Sequence, residues 1–67
     1  MSQAKVLLLL TELGGRATRK QIADLALLKY PDASLHAYVG LRLRELKKWE
    51  KVDYNATTRE WFILPEV

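Results

Sequence analysis

Few residues of this chain can do chemistry, and they are not arranged for catalysis. His36 is the only histidine, and there is no cysteine. Asp32 and Ser34 stand beside it, but such residues just ahead of a helical stretch are accounted for as helix caps. No carboxylates cluster near His36, so neither a nucleophile–base pair nor a metal ligand set can be assembled. Gly14-Gly15 follows a helical pattern and reads as a helix stop, not a phosphate-binding loop. The sequence therefore predicts no enzyme, no cofactor and no metal.

What remains is positive charge. Eleven Lys and Arg against eight Asp and Glu leave a net charge of +3, mild enough that placement matters more than total. The informative stretch is residues 34–49, SLHAYVGLRLRELKKW. Leu35, Val39, Leu43 and Leu46 recur at helical spacing within one arc. The opposite arc carries Ser34, Ala37, Tyr38, Leu41, Arg44, Glu45 and Lys48, with Arg42 at the border. That arc begins small and apolar and becomes basic, and Lys47, Lys48 and Lys51 follow closely. The spacing predicts a helix over 33–49 with one face on a core. The other face is either offered to a nucleic acid or simply solvated, its lysines complementing the helix dipole at the C-terminus.

The remaining segments have to position that helix. Sixty-seven residues make one domain with a thin core, burying about 60% of the unfolded surface. A first helix is expected from Ser2, a cap, to about Leu13, with Val6, Leu9, Leu10 and Leu13 inward and Leu8 left over on the outside. Thr18 and Gln21 have capping-box spacing, so a second helix is expected over 19–29 with Ile22, Leu25 and Ala26 inward. Arg19 and Lys20 fall in its first turn, where cations oppose the helix dipole and a nearby phosphate would relieve them. Tyr30-Pro31-Asp32 breaks this helix, and Asp32 or Ser34 is expected to cap the next. Beyond Trp49 the period changes to two. Val52 and Tyr54 begin one strand, 55–59 is a turn, and Glu60 to Leu64 returns as a second strand. A very short third strand near Arg16-Ala17 has room to pair with this hairpin. The leucine run at 7–10 is too short to span a bilayer and lacks a cleavage site, so a cytoplasmic or nuclear setting is expected.

From Leu43 to Val52, LRELKKWEKV, the chain resembles the end of the recognition helix and the first wing strand of winged helix-turn-helix domains. MarR and ArsR repressors and many archaeal and viral regulators share this pattern. Thr18-Arg19-Lys20-Gln21-Ile22-Ala23 is similar to the start of their second helix, and Arg59 to Leu64 to their returning wing strand. The resemblance covers nearly the whole chain. It implies an α+β, mainly α, single domain over 1–67, with three helices and a C-terminal β-hairpin wing. Three features depart from the pattern: a longer link before the third helix, Glu50 where glycine is common, and Leu41 on the reading face.

The resemblance implies double-stranded DNA binding by a small transcriptional regulator. Ser34, Ala37, Tyr38 and Leu41 would enter the major groove, with Arg42, Arg44 and Lys48 on phosphates. Arg59 on the wing would reach a phosphate or the minor groove, and Thr18 and Arg19 another phosphate. The surplus Leu8 marks the expected contact of a homodimer through the first helix. The alternative is a protein-interaction module in which Tyr38 and Leu41 form an apolar anchor with a charged rim.

Overall fold

A computed structural model describes residues 2–65, with side chains from Gln3 onward. The cap expected of the Ser2 side chain lies outside the described residues. In chain order the elements are α1 (Ser2–Glu12), β1 (Arg16–Thr18), α2 (Arg19–Lys29), a 3-10 turn (Leu35–Ala37), α3 (Val39–Lys48), β2 (Val52–Asn55) and β3 (Glu60–Ile63). Three helices and a three-stranded antiparallel sheet give the α+β, mainly helical layout that the sequence predicts.

α1 ends because glycine follows. The Gly15 N–H donates to the Leu10 carbonyl at 3.0 Å and the Gly14 N–H to that of Thr11 at 3.1 Å. This crossed pair closes the last turn and needs a left-handed residue at the first position past the cap. Gly14 supplies it at φ 92°, and Gly15 continues at φ 90°. The chain thereby turns directly into β1. α2 starts on the capping box expected: Thr18 Oγ1 accepts from the Gln21 N–H at 3.1 Å, and Gln21 Oε1 accepts from the Thr18 N–H at 2.9 Å.

β3 lies between β1 and β2, with Ala17 opposite Trp61, Tyr54 opposite Trp61 from the other side, and Val52 opposite Ile63. Strand alternation puts Ala17, Trp61, Ile63, Val52 and Tyr54 on one face. Ala17 and Val52 are buried there, Trp61 and Ile63 pack against the core, and Tyr54 and Trp61 meet at 4.9 Å between ring centroids. The other face carries Arg16, Phe62 and Asp53 in one cross-strand row. The outer edge of β2 is closed locally: Asp53 Oδ1 accepts from the Tyr54 N–H at 2.8 Å. A self-capped edge strand discourages pairing with another chain.

One core joins these layers. Val6, Leu9 and Leu10 of α1, Ile22 and Ala26 of α2, Leu35, then Val39, Leu43 and Leu46 of α3 are buried together with Ala17 and Val52. Leu25, expected inward, is half-buried at its margin.

The helix expected over 33–49 is divided. Leu35–Ala37 forms a 3-10 turn packed on α2, Tyr38 lies between the two elements with φ −112° and ψ 10°, and α3 begins only at Val39 and packs on α1. The i, i+4 pair Leu35 and Val39 is buried in the one core as the spacing predicts. A tighter turn followed by a change of direction accommodates both. No side-chain cap bond forms on either element, so the capping role expected of Asp32 or Ser34 is not realised.

Candidate functional site

The cations of the chain are not evenly committed. Among the described residues, Lys20 pairs with Asp24 (3.3 Å), Lys29 with Glu12, Arg42 with Glu45 (2.7 Å) and Lys47 with Asp53 (3.8 Å). Lys5 stands over the Tyr30 ring at 4.9 Å. Arg16, Arg19, Arg44, Lys48, Lys51 and Arg59 have no carboxylate partner among the described residues. The Lys20–Asp24 pair is exposed on both sides, so it holds Lys20 only weakly.

Two of the free arginines share a groove of about 700 Å³. One wall is the start of α2, with Thr18, Arg19, Lys20 and Ala23. The floor is the 3-10 turn and the first residues of α3, with His36, Ala37, Val39 and Gly40. Arg59 closes it from the hairpin. No carboxylate among the described residues lines it. Three separate elements thus bring Arg19, Lys20, His36 and Arg59 to one concave surface, where low-dielectric walls concentrate positive potential.

Local structure fixes each wall. The capping box sets the first turn of α2, so Arg19 and Lys20 leave the helix at a defined angle. The hairpin turn is held by Asn55, whose Oδ1 accepts from the N–H groups of Thr57 at 2.9 Å and Thr58 at 3.3 Å. Arg59 completes the turn, its N–H donating to the Asn55 carbonyl at 2.7 Å, with its backbone left-handed at φ 60°.

α3 divides its charges between two flanks. Gly40 faces the groove, and Arg44 stands one turn further along the same side. Leu41, Arg44 and Lys48 form the outward stripe, all exposed, with Leu41 47% accessible. Arg42 lies on the opposite flank. Its Nη1 donates to Glu45 Oε1, its side chain is 29% exposed, and its Nε is buried without an acceptor among the described residues. The Arg42 guanidinium, and after it the Gln3 side chain of α1, hold the Glu45 carboxyl below the usual carboxylate range. Arg42 is therefore bound into the α1–α3 seam and does not converge with Arg19 and Arg59.

The predicted site residues thus separate into groups. Thr18, Arg19, Ala37 and Arg59 meet in the groove; Arg44, Lys48 and Leu41 continue from it along α3. Tyr38 is half exposed at the head of α3. Ser34 precedes the 3-10 turn and is not on α3. Lys20, His36 and Gly40, which also line the groove, were not singled out as site residues by the sequence; the charge anomaly at the start of α2 is the signal that pointed towards Lys20. Leu8 is 62% exposed, flanked by Lys5 and Glu12, both already engaged with α2 or its end.

Among the described residues, no group of three His, Cys, Asp or Glu is placed to hold a metal ion, and no helix is long and apolar enough to cross a membrane. No protein-family model matches the chain, and searches of curated proteins and of solved structures return no match.

Proposed function

We propose that this chain is a winged helix-turn-helix domain that binds double-stranded DNA, as a small transcriptional regulator would. The observation that carries the reading is the groove: Arg19, Lys20 and Arg59, from α2 and the hairpin, line one surface against the start of α3, with no carboxylate of the described residues in its lining. α3 would lie in the major groove with Tyr38 and Leu41 towards the bases, and Arg44 and Lys48 on the backbone. Arg19, Lys20 and Arg59 would take phosphates on either side. Arg42 drops out of this surface, because its guanidinium is already paired with Glu45.

A second observation supports the reading. Arg59 sits at φ 60°, a conformation that suits glycine and costs other residues about 1–2 kcal/mol. A phosphate held by the Arg59 side chain would offset that cost.

Tyr38 and Leu41, three residues apart and both about half exposed, favour the competing reading of a protein-binding surface. The two readings separate in one titration. Fluorescence anisotropy on random-sequence duplexes, repeated over several salt concentrations, should give measurable affinity with a log–log slope of about −4 if Arg19, Lys20, Arg44, Lys48 and Arg59 meet phosphates. Negligible affinity at low salt, or an affinity that ignores salt, would leave the protein-binding surface as the better reading.

A further inference from the structure

Gly40 lies in the first turn of α3, where its backbone is helical and does not call for glycine. Glycine weakens a helix relative to alanine, so the missing side chain needs another explanation. Arg19 supplies one. A β-carbon at position 40 would stand 3.2 Å from Arg19 Cδ and 3.3 Å from its Nη1. Both distances are shorter than the usual carbon contact range of about 3.5–4.0 Å. The Arg19 side chain therefore lies directly on the surface of α3, in space that any other residue at 40 would contest. Its guanidinium has no carboxylate partner among the described residues, and Arg59 lines the same groove.

We infer that Gly40 is a positioning residue: its missing β-carbon lets Arg19 lie flat on α3 and keeps the guanidinium in the groove that Arg59 also lines, as a preformed site for one backbone phosphate. An arginine ordered before binding loses less rotamer freedom on binding. The inference rests on the nucleic-acid reading of the groove and adds a residue that touches no ligand itself.

The test compares wild type with Gly40→Ala, Gly40→Gln, Arg19→Ala and the double variant Arg19→Ala/Gly40→Gln. Each is titrated with a random-sequence duplex at several salt concentrations, and the melting temperature is measured in parallel. The heteronuclear NOE of the Arg19 Nε–H reports side-chain order without any ligand. Gly40→Ala needs Arg19 to give way by only a few tenths of an ångström, so a loss of about threefold is expected, against about tenfold for Gly40→Gln and Arg19→Ala alike. The salt slope of the latter two should shallow by about one. The double variant should be no worse than either single one, since both remove the same contact. The NOE should fall from wild type to Ala to Gln, while the melting temperature stays level or rises. A merely structural glycine would not move affinity and stability in opposite directions. Wild-type affinity in Gly40→Gln beside a weakened Arg19→Ala, or additive losses in the double variant, would overturn the positioning role and leave the groove reading standing. A wild-type chain with no salt-dependent affinity for duplex would overturn both.

Discussion

Two residues with left-handed backbones stand where glycine would be easier, and the structure gives them different explanations. Glu50 ends α3 as Gly14 ends α1: the Lys51 N–H donates to the Leu46 carbonyl at 2.9 Å and the Glu50 N–H to that of Lys47 at 3.0 Å, with Glu50 at φ 59°. Its side chain makes no ion pair or hydrogen bond among the described residues, and its charge opposes the dipole at the end of α3. Glu50→Gly should therefore raise stability by about 1 kcal/mol, measured by urea denaturation, with duplex affinity unchanged or improved. Arg59→Gly relieves the same kind of strain, and should raise stability by a similar amount of about 1 kcal/mol. It also removes a cation from the groove, so duplex affinity should fall by about tenfold even as the fold becomes firmer. A variant that gains stability and keeps its affinity would show that Arg59 meets no phosphate.

At the scale of elements, α3 divides its labour by face. Val39, Leu43 and Leu46 are buried in the core, and Leu46→Ala should cost about 2–5 kcal/mol, enough to unfold much of a domain this small. An unchanged melting temperature would contradict that face assignment. On the outer side, Lys48→Ala should weaken binding to all duplexes alike and shallow the salt slope by about one, whereas Arg42→Ala should leave the slope as it was. Arg42→Ala should instead lower stability, because Glu45 loses its guanidinium partner. Tyr38→Ala should change preference among sequences more than mean affinity.

Much of this division was legible beforehand. The capping box, the glycine stop, the hairpin and the buried arc all follow from local chemistry or short spacing, and each appears where expected. The break at Tyr38 was not legible, because Leu35 and Val39 satisfy one continuous helix as well as they satisfy a 3-10 turn followed by a redirected helix. What decides between them is that the turn packs mainly on α2 while α3 packs across α1, α2 and β2, a long-range fact. The commitment of Arg42 had a local signal in Glu45 three residues on, whereas the room that Gly40 gives Arg19 joins positions far apart in the chain and could not be read from spacing.

Across the whole molecule, paired and unpaired cations are unevenly placed. On the side of α1 and the end of α2, cations are spent within the chain: Lys29 on Glu12, Lys5 on Tyr30, Arg42 on Glu45. Exposed leucines remain there, Leu8 on α1 and Leu28 on α2. Around the start of α2, the outer stripe of α3 and the hairpin turn, cations are left free or weakly held. Arg19, Lys20 and Arg59 line one groove, and Arg44 and Lys48 continue from it along α3. Arg16 and Lys51, equally unpaired among the described residues, line other hollows. It is thus local placement, and not the net charge of +3, that would engage a polyanion. The most direct test is an amide chemical-shift titration of the labelled protein with a short duplex at low salt. The account predicts shifts clustered at Thr18 to Lys20, Ala37 to Arg44, Lys48 and Thr57 to Glu60, with Leu8, Leu27 and Leu28 still. Shifts confined to the leucine side, or none at saturating duplex, would contradict it.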